Sequence, residues 1–295
     1  MTQNATRRTT VFAVLAIVAS VCALSLGDAL IKGTGLALPL WQMFVVRSLL
    51  TLLPLWWCAR RFGPVRLNAP GWAVLRSVLL VVMWLSYYAA LPRMPLSLAA
   101  AAYYTGPLFI VALAALVARR WPPMRALVAL AGGFVGVLLI VWPDPSGFDV
   151  VTLLPLVSAV LYASGMVITA ARCQDDNPFV LSLVLNIAFV VGGGVLGLFS
   201  GQGESLILGP WQSIDPELFL VLVALAFSIV IGSAGAAYAY QNGPPATIAA
   251  FDYCYLVFSL IWGAVFFFEI PDLAAMAGIA LIVAAGLLAL PSRRA

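Results

Sequence analysis

The sequence predicts an all-α membrane protein in which ten transmembrane helices form two inverted-topology five-helix repeats around a central cavity. Three observations support this prediction: the composition, a series of apolar segments of membrane-spanning length, and a match between the two halves of the chain. Hydrophobic residues make up 64% and charged residues 9% of the 295 residues, and the mean hydropathy is +1.08. An ordinary soluble domain is about 45–50% apolar and about 25% charged. A bilayer is therefore needed to cover this much apolar surface.

Ten apolar segments lie between clusters of charged residues, glycine and proline. A helix needs about 20 residues to cross about 30 Å of hydrocarbon, and each segment is close to this length. We predict transmembrane helices at residues 11–31, 40–58, 72–91, 96–118, 125–142, 150–171, 179–199, 217–240, 246–268 and 273–290. The first segment exceeds the apolar core of a secretory signal peptide, which has about 7–15 residues, so we expect it to be a membrane helix.

The orientation follows from the distribution of basic residues, because cytoplasmic loops of membrane proteins carry an excess of Lys and Arg. With the N-terminus inside, the cytoplasmic side holds Arg7, Arg8, Arg60, Arg61, Arg66, Arg76, Arg119, Arg120, Arg125, Arg172, Arg293 and Arg294. The outer side holds only Lys32 and Arg93. We therefore expect a bacterial inner-membrane protein with both termini in the cytoplasm. The net charge of +4 is dispersed over short loops and forms no patch, so nucleic acid is not an expected partner.

The two halves of the chain resemble each other when the sequence is shifted by about 150 residues. The matches are Leu75, Tyr88, Ala89, Pro95, Ala99, Ala100, Tyr103, Ala114, Gly136 and Leu138 with Leu225, Tyr238, Ala239, Pro245, Ala249, Ala250, Tyr253, Ala264, Gly286 and Leu288. They define repeats at residues 11–142 and 150–290. Because each repeat has five helices, an odd number, the two halves enter the membrane from opposite faces, as in many secondary transporters. Coincidental similarity between apolar helices is the alternative explanation.

Several chemical functions are disfavoured by the residues that the sequence contains. There is no histidine, which is the commonest general base and metal ligand, and the four cysteines show no CxxC spacing. We expect no catalytic residue, metal or cofactor, and therefore no enzyme. A phosphate-binding GxxxxGK[ST] loop is also missing. A secondary or facilitative solute carrier is the favoured class, and an intramembrane enzyme or a structural membrane subunit are the alternatives.

The ends of both halves resemble the EamA-type repeat of the drug/metabolite transporter superfamily. The pattern is a small-residue helix, a tight charged loop and a glycine-containing last helix. In the second half it consists of Pro245 to Ala250, Phe267 to Pro271, Gly278 and Gly286. In the first half it consists of Pro95 to Ala102, Gly106-Pro107, Gly132-Gly133 and Gly136. The first half departs from it, because Arg119 stands where the second half has Glu269. The chain length and aromatic content resemble YddG-type exporters of aromatic amino acids within this superfamily. The resemblance implies export of a small metabolite by alternating access.

Polar and aromatic residues at helical spacing are the candidates for binding the cargo. The substrate-binding residues that we predict are Arg47, Trp84, Tyr88, Tyr103, Tyr162, Tyr238, Asp252 and Tyr253. An unsatisfied polar group costs several kcal/mol in hydrocarbon, so these faces should point into the bundle. The pairs Tyr88/Tyr238 and Tyr103/Tyr253 are related by the repeat. Interhelical hydrogen bonding without substrate contact is the alternative role for each of them.

Aromatic walls suit an apolar or aromatic side chain, so we expect an amino acid with a bulky side chain as the small-molecule partner. A sugar phosphate, a nucleotide sugar or a drug is the alternative cargo. A phosphate would need paired Lys or Arg deep in the bundle, where the sequence places only Arg47. The lipid bilayer is the second partner, and we expect a monomer or weak homodimer.

Ionisable residues within the spans are costly and usually functional. Asp252 is predicted to bind the substrate amine or a proton, and Arg47 to bind a carboxylate or to pair with a distant aspartate. Asp28 and Lys32, four residues apart near the outer end of the first span, are predicted to form an ion pair. Glu269 is either a gate or the solvated end of a helix.

Overall fold

The computed structural model describes residues 2–33, 38–90, 102–141, 153–201, 207–268 and 272–289, with the side chains of residues 2–8 and 32 excepted. All regular structure in these ranges is α-helical. The helices are α1 (Thr2–Gly33), α2 (Leu40–Arg61), α3 (Pro70–Ala90), α4 (Gly106–Ala118), α5 (Met124–Val141), α6 (Leu153–Arg172), α7 (Pro178–Gly197), α8 (Pro216–Asn242), α9 (Pro245–Asp252), α10 (Cys254–Phe267) and α11 (Leu273–Ala289).

Seven of the described segments are long and apolar enough to cross a membrane, and three shorter apolar helices accompany them. The surface of the bundle is itself apolar: Leu53 on α2 is 78% exposed, Leu220 on α8 is 68% exposed and Phe227 on α8 is 59% exposed. Such a continuous apolar surface needs lipid around it. The chain is therefore a multi-pass membrane protein, as its composition predicts.

The helices follow the predicted spans closely, with three differences. The predicted fourth span, 96–118, is described only from residue 102 onwards, and α4 begins at Gly106. Helix α1 begins at Thr2, nine residues before the predicted start. The predicted ninth span, 246–268, consists of two helices, because α9 ends at Asp252 and α10 begins at Cys254. At the interruption the N–H of Leu256 donates to the carbonyl of Tyr253 at 3.1 Å, a three-residue bond that tightens the turn.

Helix α4 resembles α10 at both ends. It begins at Gly106, directly after a turn at Tyr104 and Thr105. It is followed by Arg119, whose φ of 51° is left-handed, and α10 is followed by Phe268 with a φ of 56°. A left-handed residue of this kind is a common way to end a helix. Helices α4 and α10 therefore begin and end in the same manner.

The helices pair across the two halves of the chain more than within them. Helix α1 packs on α8 and α3 on α6, while α2 packs on α7 and α5 on α11. In addition, α1 packs on α10 and α4 on α6. These six pairings are unchanged when α1 is exchanged with α6, α2 with α7, α3 with α8, α4 with α9–α10 and α5 with α11.

Small residues permit close helix contacts, as expected where lipid provides no hydrophobic drive between helices. A Cβ added at Gly136 on α5 would lie 2.8 Å from the carbonyl oxygen of Gly278 on α11, and one added at Gly278 would lie 2.6 Å from that of Gly136. Helices α1 and α8 cross in the same way, since a Cβ at Gly235 would lie 2.9 Å from the carbonyl oxygen of Ala16.

The segment before α8 is fixed to the first turn of α2. The side chain of Gln42 donates to the carbonyl of Gln212 at 2.7 Å and accepts from its N–H at 2.8 Å. The indole N–H of Trp41 donates to the carbonyl of Gly209 at 2.9 Å, and its ring lies 5.6 Å from that of Trp211. This connection is therefore ordered by side chains of the other half.

Candidate functional site

Asp252 is a buried carboxylate in the interior of the bundle. It is the last residue of α9, only 6% exposed. Its Oδ2 accepts hydrogen bonds from the hydroxyl of Tyr162 on α6, at 3.1 Å, and from that of Tyr240 on α8. Its Oδ1 is buried and has no partner among the described residues. An acceptor in this state has unused hydrogen-bonding capacity.

A row of aromatic rings extends from Tyr162 towards the first half of the chain. Tyr103 lies 6.0 Å from Tyr162 and 5.2 Å from Tyr87, between ring centroids. Tyr87 in turn lies 5.9 Å from Tyr88. Tyr88 stacks on Trp84 at 5.3 Å with an interplanar angle of 21°. These residues, contributed by α3, α6 and the residues that precede the turn before α4, form what we name the aromatic row.

Arg47 lies beyond the other end of the aromatic row. Tyr88 contacts Phe44 at 6.4 Å, and the guanidinium carbon of Arg47 lies 5.5 Å from the Phe44 ring and 5.2 Å from the Phe189 ring. Arg47 is 7% exposed, and its Nε is buried without a partner among the described residues. Contact with ring faces stabilises a cation in part, but does not provide a hydrogen-bond acceptor for Nε.

A second carboxylate, Asp28 on α1, lies beside the same row. It accepts a hydrogen bond from the hydroxyl of Tyr255 on α10. The Tyr255 ring lies 5.8 Å from Tyr104, which lies 5.7 Å from Tyr103 in the aromatic row. The side chain of Lys32, its predicted partner, and all of Glu269 lie outside the described residues.

Six of the eight predicted site residues belong to this arrangement. Trp84, Tyr88, Tyr103 and Tyr162 form the aromatic row, and Arg47 and Asp252 lie beyond its two ends. Tyr238 and Tyr253 make no described contact with the aromatic row.

Tyr238 and Tyr253 are directed elsewhere for identifiable reasons. Gly235 on α8 packs on α1, and Tyr238 lies three residues after it, on the same side of the helix. Two residues along a helix correspond to a rotation of about 200°, so Tyr240 faces the opposite way and reaches Asp252. Tyr253 is fully buried against α5, where a Cβ added at Gly133 would lie 2.5 Å from the tyrosine ring.

The second-half rings beside the aromatic row are instead Tyr240, which donates to Asp252, and Tyr255, which donates to Asp28. Neither was among the predicted site residues. Tyr240 lies two residues after Tyr238 on the same helix, so the two side chains lie on opposite faces of α8. The sequence alone does not show which of these faces is directed to the site.

Arg76 is a second buried cation. The expectation that Arg76 lies among the cytoplasmic loop residues is wrong, since it stands within α3 and is 1% exposed. Its Nε donates to the hydroxyl oxygen of Thr169 on α6 at 2.6 Å, and its Nη1 is buried without a described partner. Leu80 and Met83, on the same face of α3, also meet α6, and this periodicity is the signal that identifies Arg76 as interior.

The connection after α6 lies near Arg76. Cys173 and Asp176 are both buried there, and burial, followed by the charge of Asp176, raises the pKa of the Cys173 thiol to about 11. The thiol is therefore protonated at neutral pH. Oδ1 of Asp176 accepts from the N–H of Asn68 at 2.5 Å, which joins this connection to the one before α3.

No group of three or more His, Cys, Asp or Glu side chains that would hold a metal ion occurs in the described ranges. The arrangement is instead two carboxylates and a cation around tyrosine hydroxyls and ring faces. The arrangement thus offers both charged and apolar surfaces inside the bundle.

Comparison with known proteins shows which proteins the chain resembles. The sequence profile of the EamA-like transporter family matches residues 150–290. The match covers the half that contains Tyr162, Tyr240 and Asp252, whereas the first half departs from the pattern at Arg119.

Relatives of the whole chain are bacterial transporters. A riboflavin transporter of Brucella anthropi is 26% identical over 247 residues, 84% of each chain. A pseudopaline exporter of Pseudomonas aeruginosa is 26% identical over 275 residues, which is 92% of this chain and 93% of the exporter. The chain is thus similar over most of its length to bacterial membrane transporters. The narrower resemblance to YddG-type aromatic amino-acid exporters is not supported by these names.

A solved crystal structure shares the fold. It is 19% identical in sequence and superposes with a TM-score of 0.76, covering 98% of this chain and 97% of its own. At this identity the similarity concerns the arrangement of helices alone.

Proposed function

We propose that this transporter exports amino acids with bulky, apolar or aromatic side chains, by secondary or facilitative transport. The observation that supports this most directly is the aromatic row, which extends from near Arg47 to Asp252 inside the bundle. A cargo with a charged head group and an apolar side chain would contact both kinds of group.

The chemistry of the site favours such a cargo over a strongly charged one. Ring faces bury apolar and aromatic side chains and gain further from offset or edge contacts. Carboxylates and cations within a membrane bundle are costly unless they have a role. Arg47 would bind the carboxylate of the cargo, and Asp252 would bind either its amine or a proton.

We further propose that residues 11–142 and 150–290 are inverted repeats and that transport occurs by alternating access between them. The exchange symmetry of the helix pairing supports this, as does the similar interruption near the start of α4 and α10. Interrupted helices at a repeat interface are typical of secondary transporters. The excess of arginine on the cytoplasmic side supports cytoplasmic N- and C-termini even when Arg76 is not counted.

A flat, fused-ring cargo such as a flavin is the second candidate. Two observations favour it: relatives of similar length are riboflavin transporters, and the Trp84 and Tyr88 rings are nearly parallel, as suits stacking with a planar ring. A neutral ring system would make less use of Arg47 and Asp28.

Transport by purified protein in liposomes tests the proposal. A panel of radiolabelled phenylalanine, tryptophan, leucine, glycine and riboflavin should show uptake of the bulky amino acids well above empty liposomes. Tyr88→Ala should slow this uptake severalfold, because it removes the ring that links Trp84 to Phe44. Phe227→Ala, which truncates an exposed ring on α8, is the matched control and should leave uptake unchanged. Uptake equal to empty liposomes for every amino acid would reject the cargo, and uptake of riboflavin alone would establish the second candidate.

A further inference from the structure

The connection between α6 and α7, residues 173–177, joins the ends of three helices. The side chain of Gln241, near the end of α8, donates to the carbonyls of Cys173 and Asp176 at 2.5 and 2.8 Å. Oδ1 of Asp176 accepts from the N–H of Asn68, just before α3, at 2.5 Å. The connection therefore holds the end of α6 against the end of α8 and the start of α3.

Two asparagines tie the same connection to the segment between α2 and α3. Nδ2 of Asn177 donates to the carbonyls of Ala59 and Pro64 at 3.2 and 3.3 Å. Nδ2 of Asn68 donates to the carbonyl of Asp175 at 2.7 Å. These bonds join the second half of the chain to the first. Because polar groups of this kind can exchange a protein partner for water at a modest cost in free energy, such a tie can open and close again.

Cys173 fills the space between these helix ends. It is 1% exposed and belongs to a small apolar cluster with Ala73 of α3, Leu181 of α7 and Ala237 of α8. Arg76 stands three residues after Ala73 on α3 and is equally buried, and its Nη1 has no described partner. The connection and this cluster therefore close the bundle to water at this point.

The aromatic row lies deeper in the bundle, on two of the tied helices. Tyr162 stands ten residues before the end of α6, and Trp84 stands fourteen residues after the start of α3. With a rise of about 1.5 Å per residue, the row begins roughly 15 Å from the tied helix ends. A cargo that moves along α3 and α6 between the row and this face of the membrane has to pass the connection.

We infer that residues 173–177 form a gate of the transporter, on the face where α3 begins and where α6 and α8 end, and that the gate is closed in this structure. This inference rests on the proposed transport by alternating access, and it names the segment that opens on the predicted cytoplasmic side. Opening breaks the bonds made by Gln241 and Asn68 and separates the start of α3 from the ends of α6 and α8. It thereby exposes Cys173 and Arg76 to water.

The native thiol of Cys173 reports the state of this gate. It would be made the only thiol by the substitutions Cys22→Ser, Cys58→Ser and Cys254→Ser. N-ethylmaleimide should then label the protein only while the gate is open, because a buried thiol is neither accessible nor readily ionised. Gln241→Ala removes two bonds of the closed gate and should accelerate labelling roughly 10- to 30-fold.

Gln174→Ala is the matched control for the labelling experiment. Gln174 belongs to the same connection, but its side chain donates to the carbonyl of Ala170 in the last turn of α6 and does not join α6 to another helix. This variant should therefore keep the labelling rate of the parent protein. Equal labelling rates for Gln174→Ala and Gln241→Ala would overturn the inference.

A crosslink across the gate tests whether it opens during transport. In a protein whose four native cysteines are replaced by serine, Asn68→Cys and Asp176→Cys would be joined by a short bismaleimide. The crosslinked protein should take up labelled phenylalanine no faster than empty liposomes. The same double variant treated with N-ethylmaleimide, which modifies both thiols without joining them, should still transport.

The outcomes separate the gate from the cargo. Uptake by fully crosslinked protein at the rate of the N-ethylmaleimide-treated protein would overturn the gate while amino-acid transport stands. Absence of phenylalanine uptake by the wild type would instead reject the proposed function. The labelling of Cys173 uses no cargo and neither introduced cysteine, so it decides the inference in that case and also if the double variant does not fold.

Discussion

Tyr240 donates a hydrogen bond to the buried carboxylate of Asp252, at the point where α9 gives way to α10. The bond connects α8 to the interruption of the ninth span. Both residues are almost fully buried, so water does not replace the bond if one partner is removed. An unmet buried acceptor costs about 1–3 kcal/mol, and more when it is charged.

Removal of the Tyr240 hydroxyl should therefore impair transport more than removal of the Tyr238 hydroxyl. We expect Tyr240→Phe to reduce the initial rate of amino-acid uptake by about tenfold, given about 1.5 kcal/mol for a bond to a charged acceptor. Tyr238→Phe, two residues earlier on the opposite helix face, serves as the control and should retain the wild-type rate. Equal rates for both variants would show that Asp252 does not need this donor.

Asp252→Asn should change the transport rate or its dependence on pH, because it removes an ionisable group from the membrane interior. Uptake measured between pH 5 and 8 in liposomes would show either change. Asp215→Asn is a matched substitution, since Asp215 accepts from the N–H of Leu218 at the start of α8 and asparagine performs the same capping role. Identical rates and pH profiles for Asp252→Asn and the wild type would assign Asp252 to packing alone.

The contact between Gly136 and Gly278 should tolerate no side chain. In each case the added Cβ would meet a backbone carbonyl oxygen of the opposite helix. A backbone oxygen, unlike a side chain, cannot move away by changing rotamer. Gly136→Ala or Gly278→Ala should lower the melting temperature in detergent, since overpacking costs about 1–3 kcal/mol.

Gly194→Ala provides the comparison for this contact, because nothing lies within 4 Å of a Cβ at that position. Alanine also favours a helix over glycine by about 0.8–1.0 kcal/mol, so its melting temperature should stay the same or rise. A Gly136→Ala variant as stable as the wild type would mean that α5 and α11 can separate at no cost.

Gln42→Ala should detach the connection before α8 from α2 and make it more mobile. The substitution removes two hydrogen bonds to the backbone of Gln212, at about 1 kcal/mol each, and limited proteolysis within residues 207–215 should become faster. Gln212→Ala is the control, because the bonds involve the backbone of Gln212 and survive its truncation. Equal cleavage rates for the two variants would contradict the assignment of these bonds.

The sequence predicts the spans well because their signal is local. An apolar stretch of about 20 residues between breakers satisfies its own backbone wherever it lies, and α2, α3 and α8 accordingly begin within two residues of the predicted starts. The first half of the aromatic row is likewise predictable, since Trp84 and Tyr88 stand one helical turn apart.

Other parts of the site depend on contacts between helices and are not encoded locally. Whether Tyr238 or Tyr240 is directed to the site depends on which face of α8 packs on α1. Gly235 on α8 lies against Ala16 on α1. The buried position of Arg76 depends on the acceptor that Thr169 supplies from α6. The partner of Asp28 is Tyr255, 227 residues away in the chain.

The interruption at Tyr253 leaves both parts of the ninth span in contact with α1. Before the interruption, α9 packs on α4, α1 and α5, and after it α10 packs mainly on α1. A displacement of α1 relative to α4 and α5 would therefore act on both sides of Tyr253: on Asp252 through α9, and on the bond between Tyr255 and Asp28 through α10.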